Sequence, residues 1–142
     1  MLHVEHIMEL QVGVKILLSN PEGRYLLLER NPEKYPDVSE RWDLVGGRIE
    51  VGESLLHNLK REVLEETGLL LHVEPRLVAA QDIITSTGKH VVRLTYVGQI
   101  EGKPSLQGEH ISYKWLTWVE LNELEGLDRY FKALLESGVL KE

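Results

Sequence analysis

Cysteine is absent from the 142 residues, which removes disulfides, thiolate metal sites and cysteine nucleophiles at once. Nor does any apolar run approach the roughly 20 residues that span a bilayer. The opening "MLHVEHIMEL" is broken by Glu and His where a secretion leader would be continuously apolar. A cytoplasmic location with no membrane partner is the expectation. No Lys/Arg cluster offsets the formal net charge of −7, so a nucleic-acid polymer is not an expected partner unless a metal mediates contact with a small part of it. Repeats, low-complexity tracts and linkers are missing too, and the length suits one domain spanning residues 1–142.

What is present is ordinary globular composition, 42% apolar and 27% charged, far from the regime of disordered chains. "MELQVGVKILL" and "RYLLLER" read as two strands of a hairpin around the turn signal "SNPEG". "NPEKYPDVSE" reads as an exposed loop that leads to the short apolar stretch "RWDLV". "GGRIEVGES" has too many glycines for a regular helix, whereas Ser54 to Thr67 contains neither Gly nor Pro. A helix therefore starts near Ser54 as N-cap and ends at Gly68 as left-handed cap, with Leu56, Leu59 and Val63 on its sheet-facing side. "LLLHVEPRLVAAQDIIT", "HVVRLTYVGQI" and "SYKWLTWVEL" read as further strands, and "LDRYFKALLESG" as a closing amphipathic helix. This order implies an α/β fold, an alpha/beta/alpha sandwich with a mixed β-sheet between helices.

The predicted helix poses an electrostatic problem. Glu62 neighbours Glu65 at i+3 and Glu66 at i+4, so three carboxylates share one stripe. Each like-charge pair costs roughly 0.2 to 0.5 kcal/mol, and the helix dipole disfavours anions near its C-terminal end. Arg61 offsets only part of this. A water-facing stripe would be the plain reading of such a cluster. A hard divalent cation would instead turn the cost into binding, since it needs several oxygen ligands at about 2.0 to 2.1 Å.

Residues 47–69 resemble, letter by letter, the signature of the Nudix hydrolase family, GX5EX7REUXEEXGU with U a bulky aliphatic. The matching positions are Gly47, Glu53, Arg61, Glu62, Val63, Glu65, Glu66, Gly68 and Leu69. Seven identities at roughly 7% each coincide by chance about once in 10⁸ starting positions. The resemblance implies a Nudix-type sandwich and hydrolysis of the pyrophosphate bond in a nucleoside diphosphate linked to another group. It also implies Mg²⁺, with Mn²⁺ as substitute, a small nucleotide substrate and a possible homodimer.

Carried over by position, Glu62, Glu65 and Glu66 resemble the family's metal ligands, Glu53 assists, and the Gly46 carbonyl is a candidate backbone ligand. Arg61 resembles the arginine that holds these glutamates. Glu62 and Glu109 are the two candidates for general base. Arg30 and Arg48 are candidates for the distal phosphate, Gly46 and Gly47 for close approach to phosphate, and Tyr35 for stacking on a nucleobase. Trp42 and Tyr96 read first as core, and no histidine, including the close pair His3 and His6, is assigned to a metal. Two positions depart from the commonest pattern. Val45 stands where proline often precedes the glycine pair, and Asn58 replaces a small residue one turn before Glu62, where it either hydrogen-bonds into the site or crowds it.

Branches acting on ADP-ribose or dinucleoside polyphosphates usually carry Pro or Tyr about 16 residues beyond the box, where this chain has Thr85, and the coenzyme A hydrolase motif is missing. Elimination favours a nucleoside triphosphate or modified nucleotide as substrate, with ADP-sugars or dinucleoside polyphosphates as alternatives. Isopentenyl diphosphate isomerase, a rival on the same fold, relies on a cysteine that is absent here. A non-catalytic nucleotide sensor would typically lack one or more box glutamates, all of which are present.

Overall fold

The computed structural model describes residues 8–36 and 38–140. His3 and His6 lie outside them. Seven strands form one mixed sheet: β1 (Glu9–Ser19), β2 (Tyr25–Arg30), β3 (Trp42–Asp43), β4 (Val45–Arg48), β5 (Arg76–Ile84), β6 (Lys89–Gln99) and β7 (His110–Leu116). The main order is β3-β2-β1-β6-β5, with β4 also paired to β1 and β7 to β2. Three α-helices accompany the sheet: α1 (Leu55–Thr67), α2 (Trp118–Glu123) and α3 (Arg129–Ser137).

Alternation along the central strands assigns the two faces. Val14, Ile16 and Leu18 of β1, with Leu26 and Leu28 of β2, pack with Leu59 and Val63 of α1. Leu17 and Leu27 point the other way and pack with Leu121 of α2 and Phe131, Leu134 and Leu135 of α3. This is the three-layered arrangement read from the sequence. The helix α1 is bounded by Ser54, whose hydroxyl accepts the His57 N–H, and by Gly68 at φ 72°, as the sequence implies.

Three readings need correction. The turn between β1 and β2 forms, with the Asn20 side chain accepting the Glu22 and Arg24 N–H groups at 3.1 and 2.9 Å. The hairpin ladder does not extend beyond it, because only Ser19 and Tyr25 are in register. β1 pairs in parallel with β6 over its whole length and takes β4 on its other side, while β2 pairs with β7. The stretch expected as a strand from Leu69 becomes one only at Arg76, directly after Pro75, which has no N–H for a ladder. The strand expected to run through Leu121 stops at Leu116. There Thr117 caps α2 in a reciprocal box with Glu120, taking the Glu120 N–H at 3.2 Å and giving its own to the Glu120 carboxylate at 2.9 Å.

The β4 strand delivers the glycine pair to the N-terminal half of the box. Gly46 lies opposite Lys15 at φ 143°, and a Cβ there would come within 2.0 Å of the Val14 carbonyl oxygen. Neither the backbone conformation nor the space admits a side chain. Gly46→Ala is expected to lower stability by about 3 kcal/mol or more. Urea unfolding measures this, and an unchanged midpoint would show that β4 does not need this close approach.

Candidate active site

The box folds back on itself through one arginine. Arg61, at the middle of α1, gives Nε to Glu53 at 3.3 Å and Nη1 to Glu62 at 3.2 Å and Glu65 at 3.1 Å. Its Nη2 reaches the Asn58 side-chain oxygen at 2.8 Å and stands 3.8 Å from Glu50. A planar fork with five donors can bridge loop and helix in this way, whereas an ammonium cannot. Asn58 is fully buried; its oxygen also accepts the Glu50 N–H at 3.0 Å, and its amide reaches the Arg48 carbonyl at 3.4 Å. It fastens the glycine loop to the helix and does not crowd the cleft.

Glu66 is the buried member of the acidic stripe. One carboxylate oxygen, Oε2, accepts the Gly46 N–H at 3.1 Å. The other, Oε1, is buried without a hydrogen-bond partner. Burial is the main influence on this carboxyl; Lys15 opposes it, but the hydrogen bond and charge of Glu62 add to it, and the pKa is pushed up to about 9. Glu62 packs on Gly47, where a Cβ would come within 2.8 Å of its carboxylate. Glu65, with its side chain 57% exposed, sits at the rim.

These groups line a cleft of about 700 Å³ together with Lys15, Arg30, Tyr35, Asp43, Arg48, Arg93, Glu109 and His110. Of the residues singled out in the sequence, the cleft brings together Glu62, Glu65, Glu66, Glu109, Arg30, Arg48, Tyr35, Gly46 and Gly47. Glu53 and Arg61 stand behind this lining. Trp42 and Tyr96 are core residues, only 7% and 5% exposed. Arg48 is bonded to the Gln11 side chain. Arg30 has two nitrogens engaged within the protein, Nη1 on the Glu40 carbonyl at 2.9 Å and Nη2 between Asp43 and Asp128. Its guanidinium lies 5.9 Å over the ring of Tyr35.

Across from the glutamates, Arg30, singled out in the sequence, is joined by two cations that were not, Lys15 and Arg93. Lys15 bonds Asp43 at 2.8 Å, Arg30 bonds the same carboxylate oxygen at 2.5 Å, and Arg93 bonds Asp128 at 2.6 Å. Three cations thus meet two nearly buried anions. Asp43 also accepts the Leu44 N–H, and Asp128 accepts the Phe131 N–H as the cap of α3. Burial alone would raise the Asp43 pKa, but Lys15, Arg30 and Arg93 outweigh it and hold this carboxyl well below the usual range. A lysine inside "VGVKILL", an arginine inside "VVRLTY" and an aspartate inside "WDLV" were visible signals, since charge within an otherwise apolar strand needs a partner.

His110 completes the floor. Its Nδ1 is buried, lacks a hydrogen-bond partner and lies 3.8 Å from the unpartnered Oε1 of Glu66. Burial and then Lys15 hold its imidazole below the ordinary pKa.

Among the described residues, no three acidic or imidazole side chains converge closely enough to grip an ion as they stand. The donor set nevertheless fits a divalent cation. Glu62 and Glu66 are adjacent on α1, and one buried carboxylate oxygen of Glu66 has no hydrogen-bond partner.

A family profile described as the NUDIX domain matches residues 9–135. Among curated proteins, this chain is 32% identical over 92 residues to a "Putative 8-oxo-dGTP diphosphatase 2" from Mycobacterium tuberculosis. That match covers 63% of this chain and 63% of the relative, less than two thirds of its length. The "RNA pyrophosphohydrolase" of Sphingopyxis alaskensis is 26% identical over 145 residues, covering 89% of this chain and 88% of that protein. Among solved structures, the MutT protein of Methanosarcina mazei Go1 superposes with a TM-score of 0.77 at 29% identity, covering 92% and 93% of the two chains. No helix among the described residues is long and apolar enough to cross a membrane.

The cationic wall yields a test independent of any substrate. Asp43→Asn leaves Lys15 and Arg30 without their shared anion and is expected to cost about 3 kcal/mol at pH 7. The folded pKa of Asp43 is depressed from 3.8, so its contribution is complete above that value and is lost as pH falls through the folded value. Denaturant unfolding of both proteins from pH 7 downward should therefore show a gap that narrows only below about pH 4. A gap that stays constant, or none at pH 7, would remove Asp43 from this role.

Proposed function

Because this chain belongs to the Nudix family, we propose that it is a magnesium-dependent pyrophosphohydrolase acting on a nucleoside triphosphate or a modified nucleotide, with manganese able to replace magnesium. The observation that carries this reading is the polarity of the cleft. Glu62 and Glu66 face it from α1, while Lys15, Arg30 and Arg93 line it from β1, β2 and β6. An acidic wall alone would repel a polyphosphate; an acidic wall that holds cations, facing a second wall of fixed cations, attracts it.

In this reading Glu62 and Glu66 hold the metal, Glu65 joins them from the rim, and Glu53 acts through Arg61. When bound, the divalent ion neutralises phosphate charge and polarises phosphorus toward in-line attack by water. The protein's own groups do the rest. Arg61 keeps Glu62 and Glu65 from splaying apart, because its Nη1 contacts both while Nε of the same rigid fork holds Glu53. Lys15, Arg30 and Arg93 orient the phosphate chain, with Arg48 at the outer edge. Glu62 and Glu109 are the groups available to take the proton of the attacking water. The Glu109 carbonyl accepts the Asn31 N–H at 2.9 Å, which ties its loop to the segment bearing Tyr35. Tyr35, 41% exposed and backed by Arg30, offers a face to a nucleobase.

The name of the Mycobacterium tuberculosis relative supports a nucleoside triphosphate with a modified base. The name of the Sphingopyxis alaskensis relative adds the 5′ end of RNA to the compounds to be tried.

A panel of canonical and oxidised nucleoside triphosphates, ADP-sugars, dinucleoside polyphosphates and 5′-triphosphorylated RNA, incubated with magnesium and separated by chromatography, tests the reading. Cleavage of a phosphoanhydride bond is expected, and metal-independent binding without turnover would favour a sensor. Glu62→Gln and Glu66→Gln should each lower kcat by about 100-fold or more while the thermal midpoint stays nearly unchanged. Either variant retaining wild-type turnover would refute the assignment.

A further inference from the structure

Glu66 Oε1 and His110 Nδ1 are both buried, both lack a hydrogen-bond partner, and lie 3.8 Å apart. That distance is too long for a direct hydrogen bond. Two unsatisfied buried polar groups would cost about 1 to 3 kcal/mol each, so their facing one another calls for a third atom between them. The His110 side chain is only 9% exposed and the Glu66 side chain 11%, so bulk water does not meet this need.

The backbone holds the imidazole in place. His110 opens β7 opposite Arg30, at an irregularity in the β2–β7 ladder between Glu29 and Arg30, and such irregularities re-aim side chains. Its N–H bonds the Gln107 carbonyl at 3.3 Å, and the loop before it is tied down through Asn31, which donates to the carbonyls of Gly108 and Glu109. The ring therefore lines the cleft from a braced position.

We propose that His110 is a nitrogen ligand to the divalent ion held by Glu62 and Glu66, and that it biases the site toward manganese over magnesium. A separation of 3.8 Å is shorter than two ligand bonds of about 2.1 Å laid end to end, so one ion reaches both atoms. Manganese shares magnesium's preference for oxygen donors and is the weakest binder of the divalent transition ions, but it accepts an imidazole nitrogen more readily than magnesium does. This difference converts a single nitrogen into a modest metal selectivity. The inference rests on the metal-binding reading of Glu62 and Glu66, but it adds a ligand and a preference which that reading does not contain.

Pulsed electron paramagnetic resonance on the full chain loaded with one equivalent of Mn²⁺ tests it without measuring activity. Wild-type protein should show nitrogen modulation that changes from the ¹⁴N to the ¹⁵N pattern when histidine is labelled. His110→Gln should abolish the modulation, raise the Kd for Mn²⁺ about tenfold and change the Kd for Mg²⁺ less than threefold. His110→Asn serves if the glutamine variant does not fold. The proposal is overturned if bound Mn²⁺ shows no nitrogen coupling, if coupling survives in the variant, or if both ions weaken alike. Failure of the wild type to bind Mn²⁺ at all would overturn the reading of Glu62 and Glu66 as well.

Discussion

A carboxylate pair kept next to each other and partly out of water is the interaction on which this structure turns. Glu62 and Glu66 occupy adjacent turns of one helix, and the deeper of them has a single backbone donor and an unbonded oxygen. Left alone, such an arrangement binds a proton or relaxes outward. Several features of the fold prevent relaxation. Gly46 and Gly47 bring backbone against the acids where a side chain could not fit, Asn58 staples the loop to the helix, and Arg61 gathers the outer carboxylates. The same geometry that makes the site costly for the empty protein is what, on the proposed reading, would give it affinity for a cation.

The second organising element is the separation of charge across the cleft. Acids come from α1, whose apolar side is anchored in the core by Leu59 and Val63. Cations come from the opposing face of the central strands, where Lys15 shares its orientation with Leu17. They are restrained by Asp43 and Asp128, and Asp128 is also the cap of α3. The third layer of the fold is thus fastened to the cleft by the residues that give the cleft its positive wall. On the proposed reading, a metal on one side and fixed cations on the other would let an acidic protein with a net charge of −7 hold an acidic nucleotide.

What could be read from the sequence was local. The ends of α1 followed from Ser54 and Gly68, because caps act over three or four residues. The acidic stripe followed from helical spacing, and the glycine loop from composition. Strand partners did not follow, since β1 pairs with β6 about eighty positions away and nothing within "MELQVGVKILL" specifies that neighbour. Arg30 could be noticed, but not that Asp128, 98 positions along, would engage it. Nothing around His110 in the sequence marks it, because Glu66, the carboxylate it faces, is distant along the chain and close only after β7 joins β2. The end of β7 is a different case: Thr117 and Glu120 form a capping box that was legible and outweighed by the apolar run around it.

Crystals grown with manganese and a non-hydrolysable nucleotide, analysed by anomalous diffraction, test the central claim most directly. The account predicts an anomalous peak between the carboxylates of Glu62 and Glu66, with the phosphate chain extending toward Lys15, Arg30 and Arg93. Those two side chains splayed apart with no ion between them, and nucleotide bound at another surface, would contradict it.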